Sequence, residues 1–169
     1  MLTNPHSPFV TRSLHDLDGL ERYMFLGDVV TLLLSSEDAD GQLTLHEAAS
    51  VYREGVSMRT HIHPEQTQYC RVMEGTLGYL VGDYQGVAQP GEIIVMPAGV
   101  PHRTWVAQPG QCRLLVLTSP GGLDETFRRF GTPADAGARP TIDVTEAEVD
   151  EICERLLETD TSIVPQMCE

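Results

Sequence analysis

The sequence contains no lysine, and its 11 basic residues stand against 25 acidic ones. The formal net charge at pH 7 is −14 over 169 residues. A field of this sign repels a phosphate backbone, and no basic stripe interrupts it. No helix-turn-helix pattern or basic segment is present either. We therefore expect no nucleic-acid partner and no fused DNA-binding regulator.

Long apolar runs and paired cysteines are missing as well. No apolar run approaches the ~20 residues that a membrane helix needs, and residues 1–8 lack the basic and apolar segments of a secretory signal. None of the four cysteines forms a Cys-x-x-Cys pair, which favours free thiols in a reducing compartment. The sequence therefore predicts a cytoplasmic protein with no membrane partner. With no internal repeat, its length suits a single folded domain.

Short candidate strands, bounded by turns rich in Gly, Pro and Asp, fill most of the chain. They are residues 23–26, 28–35, 43–52, 67–74, 76–81, 92–96, 102–106 and 112–118. Many short strands at this spacing predict an all-β fold, an antiparallel sandwich or barrel. We expect an N-terminal arm over residues 1–20 and the barrel over 21–130. A linker and an amphipathic helix are expected over 131–169.

Two helices are predicted near the C-terminus. Residues 123–130 have acidic residues in the first turn, basic residues in the last and Gly131 beyond, which complements the helix dipole. Thr145 and Glu148 have the spacing of a capping box for a second helix. That helix carries one apolar stripe, Val149, Ile152, Cys153, Leu156 and Leu157. The stripe must be buried, either on the barrel or on a partner subunit.

Three histidines carry the functional signal. His61 and His63 are one residue apart, so on a strand their side chains share a face and can bind one ion together. His102 follows a Pro-x-Gly turn in a later hairpin and can supply a third ligand. The first stretch is marked by Gly55, His61, His63, Gln68 and Gly75. The second is marked by Gly91, Pro97, Gly99, His102 and Val106.

These two stretches resemble the paired motifs of the cupin superfamily. The resemblance implies a single double-stranded β-helix, a jelly-roll barrel, with C-terminal helices. It also implies one divalent transition metal, with Fe, Ni, Zn, Cu and Mn as candidates, bound by His61, His63 and His102. The flanking segments 25–31, 119–122 and 130–133 are similar to the single-domain quercetin-dioxygenase-like cupins.

The sequence departs from the family pattern at Gln68, which stands where the acidic ligand is expected. Either its carbonyl oxygen coordinates the metal, or the carboxylate ligand is lost and the amide only packs nearby. Glu65 is an alternative source of a carboxylate. Three imidazoles and an amide are all neutral, so a divalent ion would keep its full charge and favour anionic ligands such as enolates and phenolates.

Strand alternation predicts which neighbours share the cavity. Arg59 has the parity of His61 and His63, so it can bind a substrate oxyanion or remain a solvated residue at the strand end. Cys70 and Val72 have the parity of Gln68 and should line the interior. His46, on another strand, is expected as a wall residue, with a fourth metal ligand as the alternative. We predict that three aromatic residues lie on the opposite faces of their strands: Tyr69, Tyr79 and Trp105.

The resemblance implies a metal-dependent enzyme that acts on a small oxygen-rich phenol or enol, with dioxygenase-like chemistry. The loss of the acidic residue keeps a non-redox cyclase or isomerase of polyketide-type substrates open. A small-molecule-binding protein without catalysis is the third interpretation. Edge strands and the C-terminal apolar stripe favour a homodimer.

Overall fold

The computed structural model describes residues 19–159 and 164–165, which form two antiparallel sheets and two helices. The expected N-terminal arm falls almost entirely outside these residues. The strands are β1 (Arg22–Phe25), β2 (Asp28–Leu34), β3 (Thr44–Val51), β4 (His61–Ile62), β5 (Thr67–Glu74), β6 (Leu77–Val81), β7 (Tyr84–Ala88), β8 (Ile93–Met96), β9 (His102–Val106), β10 (Gln111–Ser119), β11 (Thr132–Pro133) and β12 (Val164–Pro165). The helices are α1 (Leu123–Phe130) and α2 (Glu146–Thr159).

The two sheets have different strand orders. One contains seven strands in the order β11-β1-β2-β3-β10-β5-β8, and the other contains five in the order β12-β4-β9-β6-β7. Every pairing is antiparallel. Because β5 and β6 lie in different sheets, the chain crosses from one to the other at Gly75. The predicted all-β jelly-roll barrel with C-terminal helices is confirmed.

Gly75 permits this crossing between the sheets. Its φ is +81°, a left-handed conformation that side chains rarely adopt. A Cβ at this position would overlap the carbonyl oxygen of Gln111 and lie 2.9 Å from the Cα of Cys112. Glycine is therefore required both by the turn and by the close approach of β10.

The main core lies between the sheets and follows the period-2 alternation of the strands. In β5, Gln68, Cys70 and Val72 are buried, while Tyr69 and Met73 are exposed. A register shift of one residue would expose the apolar set, so the pairing of β5 with β8 and β10 is strongly specified. The buried apolar members of this core are Cys70, Val72, Leu77, Ala88, Ile94, Met96, Val106, Cys112, Leu114 and Val116.

Both predicted helices are confirmed. Helix α1 has the predicted bounds. In α2, the backbone N–H of Glu148 donates to Thr145 Oγ1 at 3.2 Å, and the backbone N–H of Thr145 donates to Glu148 Oε2 at 2.7 Å, which is the capping box.

The stripe on α2 packs on the barrel of the same chain. Leu156 is fully buried in a cluster with Val30, Leu32, Leu123 and Phe127. The Leu157 side chain lies outside the described part of the chain. Since the stripe is already covered, the homodimer stays a prediction that rests on the sheet edges alone.

The sequence pattern missed three short strands, β7, β11 and β12, the last of which pairs with β4. Strand β7 was not predicted, because its five residues include Gly86 at their centre and its conformation depends on pairing with β6. The expected linker begins with β11, which pairs with Tyr23 and Met24 of β1. Strand β4 is only two residues long, so His63 lies just beyond its end. No helix in the described part of the chain is long and apolar enough to cross a membrane.

Candidate metal centre

The three histidines meet where β4 pairs with β9. His61 and His102 are direct partners in that antiparallel ladder, with ring centroids 4.5 Å apart. The His63 ring lies 5.1 Å from that of His61 and 5.3 Å from that of His102. All three offer ligand nitrogens within 4.8 Å of one another. The sequence prediction that these three residues come together is confirmed.

The turn before β9 fixes His102 against His63. Gly99, with φ of +73°, donates its backbone N–H to the carbonyl oxygen of His63 at 2.9 Å. The N–H of Val100 donates to the carbonyl of Pro97 at 3.2 Å, closing the turn. Because this turn is hydrogen-bonded to His63 itself, the turn before His102 and the segment that contains His63 hold each other in place.

Backbone carbonyls set the orientation and tautomer of two rings. His61 Nδ1 lies 2.9 Å from the carbonyl oxygen of Arg59, and His102 Nδ1 lies 2.8 Å from that of Val100. A carbonyl oxygen can only accept, so both Nδ1 atoms carry the proton and donate it. Each Nε2 then has its lone pair free, as a metal ligand requires.

Burial keeps these rings neutral. It lowers the pKa of His61 to about 3, and the neighbouring His102 and His63 reinforce the effect. The pKa of His102 is also lowered by burial. Neutral imidazole is the form that binds metals, so at neutral pH no proton has to leave these two rings first.

One buried nitrogen tests whether a metal fits. Nε2 of His102 is shielded from solvent and has no hydrogen-bond partner among the described residues. Buried polar atoms are nearly always satisfied, because leaving one without a partner costs free energy. An ion bound by the three histidines would use this lone pair, so the residues present fit a metal.

The histidines adjoin an internal cavity of about 190 Å³. His61 and His63 line it, as do Gln68, His46 and Cys70. Gln68 is 8 % exposed and lies on β5 opposite Met96. Its place as a metal ligand stays a prediction. Glu65 is exposed and is absent from both the histidine group and the cavity wall.

Arg59 lies elsewhere than alternation predicted. Arg59 does not line the cavity: its Nε donates to Asp150 of α2 at 2.7 Å. The reason is that β4 begins only at His61, so strand parity does not extend back to residue 59. Val72 is fully buried in the core and so faces the interior as alternation predicted, but it does not line the cavity. Trp105 borders the cavity, but its ring lies over its ladder partner Gly78, on the face opposite the core residues Leu77 and Val106, as alternation predicted.

The fourth histidine is a wall residue, as expected. His46 lies on β3, and its ring contacts Phe127 edge-on with centroids 5.0 Å apart. Burial lowers its pKa to about 4, and Asp124 opposes that shift. His46 is not part of the group of three.

An ion pair on the cavity wall was missed. Arg53 Nη2 lies 2.7 Å from Asp28 Oδ1, and both residues line the cavity. Nothing in the pattern around Arg53 signals burial, because an arginine after a strand is ordinarily solvated. Gly27 is no clue in the sequence, because its φ of +77° and the 2.8 Å between a Cβ there and Arg53 Nη2 exist only in the folded chain.

Fold and site together define a jelly-roll β-barrel whose three histidines are positioned to bind a metal ion. The Cupin domain family matches residues 50–118, a segment that contains all three histidines. This match and the fold support placement in the cupin superfamily.

Solved structures agree on the fold. KdgF from Halomonas sp. aligns with a TM-score of 0.56 at 17 % identity, covering 69 % of this chain and 98 % of that one. TT1209 from Thermus thermophilus gives 0.50 at 20 % identity, covering 66 % and 98 %. A conserved protein with a double-stranded β-helix domain from Klebsiella pneumoniae gives 0.50 at 16 % identity, covering 72 % and 92 %. No curated protein matches the sequence.

Proposed function

We propose that this protein is a metal-dependent enzyme that acts on a small oxygen-rich phenol or enol by dioxygenase-like chemistry. The observation that carries the proposal is the buried, unpartnered Nε2 of His102 within a three-histidine group that adjoins a cavity. His46 Nδ1 is likewise buried without a partner among the described residues, so the unpaired nitrogen of His102 supports a metal only because it belongs to the three-histidine group. The resemblance to quercetin-dioxygenase-like cupins supports the reaction class.

The chain's own residues have separate roles in this proposal. His61, His63 and His102 would hold the ion, which supplies Lewis acidity and, for a redox-active metal, electron transfer. Apolar walls such as Leu77, Met96 and Phe127 exclude water from the reacting molecule. Gln68 lines the same space and offers a carbonyl oxygen as acceptor, but an amide cannot take a proton from substrate.

Gln68 also favours a second candidate function, a non-redox cyclase or isomerase. A dioxygenase that starts by deprotonating its substrate needs a base, and the amide at position 68 does not supply one. A substrate that arrives already ionised removes this need. The glutamine therefore predicts a preference for acidic phenols and enols under either function.

Supplying metal-loaded protein with single-ring phenols and enolic diketones, with and without dioxygen, separates these functions. We expect product formation that requires oxygen and is matched by oxygen uptake. Equal product formation under strict anaerobiosis would reject the dioxygenase and favour the cyclase or isomerase. Tight binding without turnover in either condition would indicate a binding protein.

The Gln68→Glu variant tests whether position 68 contacts the ion. A carboxylate there would add a negative charge to an all-neutral ligand set, so we expect metal affinity to rise about tenfold or more. Calorimetric metal titration of both proteins measures this. Glu65→Gln is the matched control and should leave the affinity unchanged. Equal affinities for Gln68→Glu and the unaltered protein would place residue 68 outside the ligand set.

We propose that the protein associates with a second copy of itself as a homodimer. Strand β8 lies at the edge of the seven-stranded sheet, and next to it β5 exposes apolar side chains on the same outer face. Those exposed side chains are Tyr69, Met73, Ile93 and Val95. An apolar patch at an unpaired edge favours association with a second copy. A molar mass in solution equal to one chain would reject it.

A further inference from the structure

We propose that Arg53, which is paired with Asp28, is an anion site on the cavity wall and binds the carboxylate of a small acidic substrate. The inference rests on the proposed function in one respect: it takes the ligand of this cavity to be the substrate. The site itself is independent of the metal, because it lies on the ion pair and not on the histidines.

Arg53 has donors to spare. A guanidinium carries five N–H groups. In Arg53, Nε donates to the carbonyl oxygen of Thr141 at 2.8 Å and Nη2 donates to Asp28 Oδ1 at 2.7 Å. Among the described residues, Nη1 has no hydrogen-bond partner. The side chain is only 9 % exposed and lines the cavity, so these remaining donors suit a ligand's oxygens.

The guanidinium is held rigidly in this position. Thr141 fixes one edge of it, and the backbone N–H of Thr141 donates to the carbonyl of Gly27 at 2.9 Å. Gly27 makes room, since a Cβ there would lie 2.9 Å from Thr141 O and 2.8 Å from Arg53 Nη2. A fixed arginine loses little side-chain entropy on binding, and its planar fork matches a carboxylate.

Asp28 lowers the affinity of Arg53 for a carboxylate ligand but does not prevent that ligand from binding. The pair is neutral in the absence of ligand, which makes burial of the arginine tolerable. Burial raises the pKa of Asp28 in spite of the arginine beside it, and about a third of its side chain stays exposed. A carboxylate ligand therefore competes with Asp28 for Arg53, and removing the charge of Asp28 should strengthen that ligand.

A positive charge in the groove beside the cavity supports an anionic ligand. A shallow groove shares Arg53, Val56 and Trp105 with the cavity and is also lined by Arg103. Arg103 Nε is buried without a partner among the described residues. Arg103 thus adds one positive charge beside the neutral Arg53–Asp28 pair, in a protein of net charge −14. This charge favours an anion near Arg53.

The size of the cavity limits the ligand. Pockets for drug-sized molecules span roughly 300–1,000 Å³, whereas this cavity is about 190 Å³. It suits a single-ring or short-chain acid and excludes molecules with several fused or linked rings. Benzoate and its neutral counterpart benzamide have nearly the same shape, so they isolate the contribution of the charge.

Calorimetric titration of the full-length protein, metal-stripped and metal-loaded, with both probes tests the site. Stripped protein should bind benzoate about tenfold or more tightly than benzamide, as a charge-assisted hydrogen bond implies. Arg53→Gln should remove that preference. Asp28→Asn should strengthen benzoate binding, because the competing charge is gone. Arg113→Gln, which breaks a surface ion pair with Glu47, is the matched control and should change neither value.

The opposite signs of the two variants separate recognition from folding. If the ion pair were only structural, both variants would be less stable to unfolding. Their benzoate affinities would not shift in opposite directions. If Arg53→Gln does not fold, the double variant Asp28→Asn/Arg53→Gln carries no unpaired charge and should show equal binding of both probes. Equal affinities in the unaltered protein, or no saturable benzoate binding, would overturn the anion site. Failure to bind metal would overturn the proposed function while leaving this result standing.

Discussion

Replacing His102 with alanine should lower the metal content from about one ion per chain to near zero, as expected when one of three imidazole ligands is lost. His102 is 1 % exposed, and its Nε2 is satisfied by no described residue. Its Nδ1 donates to the Val100 carbonyl, which leaves Nε2 as the ligand atom that alanine would remove. Elemental analysis of protein purified without chelator measures the loss.

His46→Gln provides the matched control for this prediction. His46 is also buried, lines the cavity beside His61 and His63, and is neutral because burial lowers its pKa, but it lies outside the group of three. Its substitution should leave metal content unchanged. Full occupancy in the triple variant His61→Ala/His63→Ala/His102→Ala would refute the metal centre. Loss of metal in His46→Gln would instead extend the ligand set to a fourth histidine.

Local sequence patterns predicted most of the fold. The bounds of β5, β9 and α1 follow directly from alternation, turn residues and charge placement. Strand β7 could not be predicted in this way, because its conformation comes from pairing with β6 and not from its own residues. The same holds for β11, which is ordered by β1.

The two-residue spacing predicted that His61 and His63 lie together, and their rings are 5.1 Å apart although His63 lies just beyond the end of β4. Arg59, two residues before β4, departs from the same alternation, because its side chain pairs with Asp150 of α2. Arg53 and Asp28 come from separate strand ends, 25 residues apart, and only the folded chain brings them to one cavity. Long-range ion pairs of this kind have no local signature.

The Asp124→Ala variant should lose about 3–5 kcal/mol of unfolding free energy, the scale for breaking a buried charged network. Asp124 is completely buried at the start of α1. Its carboxylate accepts hydrogen bonds from Thr44 Oγ1 at 3.0 Å and from the backbone N–H of Ser36 at 3.1 Å. Both donors would lose this acceptor, and α1, which places Leu123 and Phe127 on the cavity wall, would lose its anchor.

Glu125→Gln tests whether the loss comes from burial or from charge. Glu125 is the next residue in α1 and pairs with Arg128 at 2.6 Å, as Asp124 does at 2.7 Å, but the Glu125 side chain is 73 % exposed. Exposed ion pairs contribute little, so we expect a loss below about 1 kcal/mol. Urea denaturation of the two variants beside the unaltered protein gives both values. Equal losses would mean that the arginine pairing, and not the bonds of Asp124 to β3 and Ser36, holds α1 against the barrel.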